Sequence, residues 1–336
     1  MIEIDGSYLE GGGQIIRTAV GLSALTGKSC KIFNMRKNRS PPGLKAQHMK
    51  GVEAVMKLCY ADVKGLKMGS ESLEFIPKEI SHKNLSVDVG TAGSVTLVLQ
   101  SLMIPMVHAD KETGVEIRGG THVKWSPTTG YFRHVFSEYI KSMGTEIESE
   151  TLAYGFYPKG GGRIKVRVKP GKLKPITLTS RGNYSHTDAW SNASQELAER
   201  KVAERQMDSA AKIIENLRKN SKYVKSRSIG SAITMAAVFD NYVLGSDALG
   251  ERGKPAERVG EEAAIFLKKQ IDSNACLDEH MADQILPYIA MAAENGESRI
   301  RVAEITNHAK TNIWVIEKFL PVKFEIDGNV ISCRQL

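Results

Sequence analysis

The sequence predicts an α/β fold built of α+β layers, with three repeated βαβαββ-like units forming one large domain and a smaller α/β domain inserted in the third. Three observations predict it. The order strand, loop, helix, strand, loop, helix, hairpin recurs along the 336 residues. Polar residues gather at the strand–helix junctions of each copy, and the third copy is interrupted by the segment 183–274, which has a different periodicity. The expected division is therefore 1–182 with 275–336 as the large domain (repeats about 1–80, 81–170, and 171–182 plus 275–336), and 183–274 as the insert.

The first copy opens with a strand over 1–4, turns through Glu10-Gly11-Gly12-Gly13, and continues as a helix over 14–25. A strand over 30–35, a basic Pro/Gly loop, a helix over 44–59 and paired short strands ending at Ile76 complete it. The second copy runs from a strand over 85–89 through Gly90-Thr91-Ala92-Gly93 to a helix over 94–107. It continues with a strand over 114–118, the loop Gly119-Gly120-Thr121-His122, a helix over 130–143 and a hairpin ending in 163–168. Within that hairpin Lys159-Gly160-Gly161-Gly162 reads as a turn. The third copy begins with a strand over 175–179, and its first helix, 281–293, comes only after the insert. A strand over 299–305, a junction at 307–312, a helix over 313–320 and a hairpin over 322–333 follow. The insert reads as a long amphipathic helix over 191–217, strands over 228–238 and 242–245, and a helix over 256–271. Loops tolerate such insertions.

Composition excludes several classes. Hydrophobic residues make up 41% and charged residues 25%, as in soluble globular proteins. The longest apolar stretch, 94–107, carries Gln100 and Pro105 and falls short of a membrane span. No signal or transit segment precedes the first strand, and the four cysteines form no CxxC pair, so a cytoplasmic protein without zinc ribbon or disulfide framework is expected. A homo-oligomer is compatible with the sequence. The net charge is +8, and residues 36–50 hold five basic residues and no acidic one. Such a patch suits a phosphate-rich partner or a solvated face.

Several residues carry candidate chemistry. Glu10-Gly-Gly-Gly-Gln14 offers backbone N–H groups and a helix N-terminus to an anion, and Glu10 could hold a divalent metal bridging phosphates; a plain tight turn uses the same glycines. Gly21 to Ser29 mimics a P-loop, but five residues rather than four separate its glycines, and it reads as a capped helix end. Arg36 and Arg39, with Lys45, Gln47 and His48, form the densest donor group, and the Pro/Gly-rich loop around the arginines favours ligand contact. Gln100, inside an apolar helix, is either a satisfied amide or a reader of a ligand edge. His280 and Asp283 stand (i, i+3), a spacing that also fits two metal ligands, though no third ligand accompanies them. His82, His108, His134 and His186 read as surface histidines, and His308 as either a loop histidine or a nucleophile.

The segments Glu10-Gly-Gly-Gly-Gln14-Ile-Ile-Arg17, Arg36-x-x-Arg39-x-x-Pro42-Gly43-Leu44-x-x-Gln47-His48 and Gly93-Ser94-x-Thr96-Leu97-x-Leu99-Gln100 occur in an informative order. Gly119-Gly-Thr121, Gly155-Phe-Tyr-Pro158-x-Gly-Gly-Gly162, Ala282-Asp283-Gln284 and His308-x-x-Thr311-Asn312-Ile313 continue the series. Together they resemble the RNA 3′-terminal phosphate cyclase family, over essentially the whole chain. The resemblance implies three βαβαββ-like repeats plus an inserted α/β domain, an arrangement related to that of enolpyruvyl transferases. It also implies ATP as substrate, Mg²⁺ or Mn²⁺, and an RNA carrying a 3′-phosphate, with no membrane involved. His308 would attack the α-phosphate of ATP to give a histidyl-AMP. AMP would pass to the RNA 3′-phosphate, giving an RNA-pp-A end, and the 2′-hydroxyl would close a 2′,3′-cyclic phosphate. By matching position Glu10 would hold the metal, and Arg17, Arg36, Arg39, Gln47 and His48 would bind ATP or RNA phosphates. Adenine would lie between Pro127 and His280 with Tyr131 and Gln100 nearby, and Asp283 and Gln284 would contact the ribose and orient the nucleophile. The chain departs from the family pattern at His280, often tyrosine, at His122, more often Asn or Asp, and at Tyr154, usually basic. A non-catalytic RNA-binding ribosome-assembly factor on the same scaffold is the alternative, and retention of His308, Glu10, Arg36, Arg39, Asp283 and Gln284 argues against it. Enolpyruvyl transfer to a small acid would share only the repeat architecture.

Overall fold

The computed structural model describes residues 1–81 and 84–336, so the reading of His82 as a surface histidine lies outside the described residues. The fold is mixed α/β, with helices layered on four four-stranded sheets. Three of these sheets share one plan. In the first, Ile2–Asp5 runs parallel to Cys30–Phe33, which is antiparallel to Leu73–Ile76, which is antiparallel to Asp62–Lys64. The second repeats those senses with Leu85–Asp88, Thr113–Gly119, Gly162–Lys169 and Glu146–Ala153. The third uses Thr177–Leu178, Ser298–Arg301, Val330–Gln335 and Val322–Asp327. A parallel first pair demands a crossover, and a helix provides it in the first two sheets: Gly13–Thr26 and Val95–His108. In the third sheet the crossover also contains the whole of the fourth.

The fourth sheet is ordered Leu217–Val224, Tyr184–Ser194, Ser231–Phe239, Val243–Leu249, and the helices Val202–Ala210 and Ala256–Asp272 pack against it. Here the expectation of a helix over 191–217 fails. Tyr184–Ser194 is a central strand bonded on both edges, a short helical turn follows at Gln195–Leu197, and the α-helix begins only at Val202. Lys201, at φ +50°, blocks continuous helix between them.

Smaller differences have local causes. The expected helix over 281–293 is split into Glu279–Gln284 and Leu286–Met291, because Pro287 lacks an N–H and disfavours helical backbone before it. The helix over 130–143 exists but widens into a π-turn at Phe132–Phe136, where Ser137 Oγ also donates to the Phe132 carbonyl. The last helix is Asn307–Phe319, so His308 occupies its first turn instead of the preceding loop. Thr306 caps it, its hydroxyl accepting from the Ala309 N–H.

The first helices of repeats one and two pack face to face in the core, and Asn307–Phe319 packs on the first of them. Gly21 permits the close approach: a Cβ there would stand 2.9 Å from the Ser101 carbonyl oxygen. Thr18 Oγ1 donates to Asn312 Oδ1 at 2.8 Å, fixing Asn307–Phe319 against Gly13–Thr26. No helix among the described residues is long and apolar enough to cross a membrane. His134 and His186 are half-buried instead of exposed, His134 stacked on Trp190 with centroids 3.6 Å apart, whereas His108 is at the surface.

Candidate active site

The first helix of each repeat contributes polar side chains to one chain of hydrogen bonds. Arg17 Nε, from Gly13–Thr26, donates to Gln100 Oε1 of Val95–His108 at 3.1 Å. Gln100 Nε2 donates to Gln284 Oε1 of Glu279–Gln284 at 3.3 Å, and Gln284 Nε2 donates to the His280 carbonyl at 2.8 Å. Gln100 is thus a bridging amide between repeats. Arg17 and Asp283 are enclosed where these helices meet. Burial lowers the Arg17 guanidinium to about 10 even though Asp283 opposes the shift. It raises the Asp283 carboxyl to about 7, with His280 and Arg17 pulling the other way. Burial thus favours the protonated carboxyl of Asp283 far more than in water.

His308 is held from both sides. Gln14 is buried, and its Nε2 donates to Asp283 Oδ2 at 2.9 Å and to the His308 carbonyl at 3.3 Å. That leaves Gln14 Oε1 as an acceptor, and it contacts His308 Nδ1. Nδ1 thus faces an acceptor, so once Glu10 moves from Nε2 the neutral imidazole carries its proton on Nδ1 and its lone pair on Nε2. Nε2 faces Glu10 Oε2 at 3.0 Å, and Arg39 Nη2 reaches the same oxygen at 3.3 Å. Burial, with Arg17 and Arg39 adding to it, keeps the His308 pKa below the usual imidazole value against the pull of Glu10. The neutral ring is favoured near pH 7.

A cleft of about 400 Å³ opens at this point, lined by Glu10, Glu279, His280, Asp283, Glu304 and His308 among others. The exposed His280 ring stacks on Phe266 at 5.0 Å, so one of its faces is already covered. Tyr131 is 1% exposed and sits beneath this cleft, its hydroxyl donating to Asp278 Oδ1 at 2.7 Å. Asp278 Oδ1 in turn accepts from the N–H groups of His280 and Met281, so Tyr131 supports the start of Glu279–Gln284. The Pro127 carbonyl accepts from Thr96 Oγ1 at 2.7 Å, which ties its loop to Val95–His108.

The basic loop divides in two. Arg39 points to Glu10, as above. Arg36 is 7% exposed, and its Nη1 donates to the carbonyls of Pro41 at 2.9 Å and Gly43 at 2.8 Å. Through these two bonds Arg36 shapes the loop carrying Arg39. Gln47 Oε1 accepts from the Ser94 N–H at 3.4 Å, linking the loops of repeats one and two. His48 lies under the glycine turn, where a Cβ on Gly13 would overlap its ring. Burial, then Arg17, Arg36 and Lys45, lower its pKa to about 3, so it is neutral at physiological pH.

Arg17, Gln100, Gln284 and His280 thus form one bonded chain and Arg39, Glu10, His308, Gln14 and Asp283 another, and the two meet through the charges of Arg17 and Asp283. A family model described as RNA 3′-terminal phosphate cyclase matches residues 8–326. The chain belongs to that family. It is 45% identical over 340 residues to the RNA 3′-terminal phosphate cyclase of Methanopyrus kandleri, covering 98% of this chain and 96% of that one. Identity is 42% over 343 residues to the protein of the same name from Archaeoglobus fulgidus, with 99% and 100% covered. With the one from Pyrococcus abyssi it is 44% over 335 residues, with 98% and 96% covered. The family is one of enzymes, and the three-repeat plan of the sheets agrees with the architecture expected from the motifs. Gln14 entered the sequence reading only as a motif letter and a helix start. The signal was its adjacency to the glycine turn, but an amide that both donates to Asp283 and accepts from His308 is visible only in three dimensions.

Proposed function

We propose that the enzyme uses ATP to convert an RNA 3′-terminal phosphate to a 2′,3′-cyclic phosphodiester, through a histidyl-AMP on His308 and an RNA-pp-A intermediate. One observation carries the reading: the His308 ring is oriented by Gln14 at Nδ1 and presents Nε2 toward the Glu10–Arg39 pair. In the first step Nε2 attacks the α-phosphorus, a P–N bond forms, and the α–β bridging oxygen leaves with pyrophosphate. The proton stays on Nδ1, which donates to Gln14 Oε1, and that hydrogen bond stabilises the cationic ring of the adduct. In the second step an oxygen of the RNA 3′-phosphate displaces the imidazole, returning the electron pair to Nε2. The 2′-hydroxyl then attacks the activated 3′-phosphorus, its proton passing to solvent water, and AMP departs with the bridging oxygen. The vicinal hydroxyl benefits from proximity, and AMP is the better leaving group.

Nε2 must be free to attack, so Glu10 has to turn from the ring to another partner. Its carboxylate is a hard oxygen donor, partly open to solvent, and the cleft holds Glu279, Asp283 and Glu304 as further carboxylates. A triphosphate entering there needs positive counter-charge. Mg²⁺ or Mn²⁺ held by Glu10 together with phosphate oxygens fits that donor set, and it would neutralise charge on the departing pyrophosphate. Arg17, Arg39, Gln47 and His48 line the phosphate path in this reading. His280 offers its uncovered face to adenine opposite Pro127, and Gln100, Asp283 and Gln284 meet the base and ribose. Tyr131 and Arg36 serve by holding neighbouring groups in place. Residues 1–182 with 275–336 act as the catalytic domain, 183–274 as an inserted one, and the enzyme works in the cytoplasm.

Incubation with α-labelled ATP and a divalent cation is expected to label the protein, and His308→Ala is expected to abolish the label. Labelling that survives in His308→Ala refutes the assignment. RNA binding with no adduct in the wild-type chain would favour the non-catalytic assembly factor instead.

A further inference from the structure

A second cavity, of about 980 Å³, is lined in part by Gln47 and by none of the residues that line the cleft at His308. Gln47 and the loop 91–93 form one side, and Ile229 and Arg252, from the segment containing the fourth sheet, contribute the other. Trp125 and Tyr157 also line it, 94% and 76% exposed. Single exposed aromatics are ordinary, but two on one cavity wall leave flat π-surfaces with no folding role. Trp125 is moreover held at φ +61°, a backbone region that bulky side chains rarely occupy.

His122 supplies an independent observation. It lines the same cavity, is 3% exposed, and its Nδ1 contacts Thr121 Oγ1 at 2.8 Å, while Nε2 has no hydrogen-bond partner. A buried ring nitrogen without a partner is costly unless a ligand completes it. Charge favours an anionic ligand. Lys124 is paired with Glu251 at 2.6 Å, but Arg252 makes no ion pair among the described residues. An adjoining cavity of about 550 Å³ shares Ile229 and Arg252 and adds Arg200, extending the track away from His308.

We infer that this groove receives the last bases of the single-stranded RNA upstream of its 3′-phosphate, stacked on Trp125 and Tyr157, with Arg252 on the backbone and the His122 ring turning to bring its enclosed Nε2 to a base or phosphate. The inference rests on the proposed RNA-end chemistry and adds where the strand lies. Aromatic platforms with free arginines are how proteins hold single strands.

The test uses the full chain and a 3′-phosphorylated oligoribonucleotide, read by fluorescence anisotropy, alongside label transfer from ATP to His308. The double variant Trp125→Ala with Tyr157→Ala should lose roughly tenfold or more in RNA affinity. Its adduct formation should match wild type, which also reports correct folding, and Trp125→Phe should retain most RNA affinity. RNA should quench wild-type tryptophan fluorescence, and the quenching should disappear in Trp125→Phe. Unchanged RNA affinity in the double variant, or no quenching in the wild type, overturns the inference. So does an equal loss of labelling, which would give the rings to ATP. Should the wild-type chain take no label at all, the histidyl-AMP reading fails, while the affinity and quenching arms still decide the groove.

Discussion

Replacing Gln14 tests whether orientation of the nucleophile, and not its identity alone, sets the adenylylation rate. In Gln14→Leu the shape of the side chain is roughly kept. His308 Nδ1 then loses its acceptor, and Asp283 Oδ2 and the His308 carbonyl lose a donor. A buried polar group left without its partner costs about 1–3 kcal/mol. If that is felt in the transition state, where the ring becomes cationic and Nδ1–H bonds most strongly, the rate falls about 5- to 150-fold. The assay is single-turnover label transfer from α-labelled ATP at saturating nucleotide, with ATP affinity measured separately in His308→Ala and in His308→Ala with Gln14→Leu. The slowing should appear in the maximal rate, with ATP affinity little changed. Gln14→Glu adds a sign test. A carboxylate at Nδ1 favours the imidazolium, so the rising limb of the pH–rate profile should move to higher pH. The wild-type limb should rise below the ordinary imidazole pKa, because burial lowers that of His308. Gln14→Leu that adenylylates at the wild-type rate, or a limb that moves to lower pH in Gln14→Glu, refutes the orienting role.

Two further predictions concern the surrounding framework. Asp283, raised from 3.8 to about 7, binds its proton more tightly in the folded than in the unfolded chain. Its burial therefore weighs on stability progressively as pH rises through that window and fully above it. Asp283→Asn should raise the melting temperature at pH 8 and change it far less at pH 4, where the folded carboxyl is protonated and the unfolded one about half so; an equal shift at both values sinks the claim. For Arg36, the donations to Pro41 and Gly43 predict that Arg36→Ala lowers unfolding free energy by about 1–3 kcal/mol in urea titration. Arg36→Lys should recover little of this, since a point charge cannot replace the planar fork; full recovery contradicts the structural role.

The repeated plan was legible because each copy carries its own turns and hydrophobic periods, and the sheet senses follow from helix crossovers. Sequence reasoning lost its grip in the segment 183–274. Leu217–Val224 is an edge strand whose middle is polar and exposed, so it shows no apolar alternation. The Ser/Ala run ending Tyr184–Ser194 is compatible with either period, and its two bonded neighbours decide for strand. At the site, His308, Glu10 and Asp283 were recognisable from motif and residue type. Arg36 was recognisable as a loop arginine, but the backbone carbonyls that its Nη1 meets leave no mark in sequence. The anchor of Tyr131, Asp278, lies far along the chain and was equally invisible. Likewise the missing partner of His122 is a property of packing alone.

Arg181 Nη1 donates to Asn274 Oδ1 at 2.9 Å, although 93 positions separate the two residues. The excursion between them therefore leaves and rejoins the third repeat at almost one point. Such a gateway lets that segment be lengthened, trimmed or exchanged while the strand Thr177–Leu178 and the helix bearing His308 keep their places. Ile229 and Arg252 travel with it, so a swapped segment would redraw the far bank of the groove and leave the imidazole undisturbed. Preference among RNA ends could in this way drift between relatives independently of the chemistry performed on them.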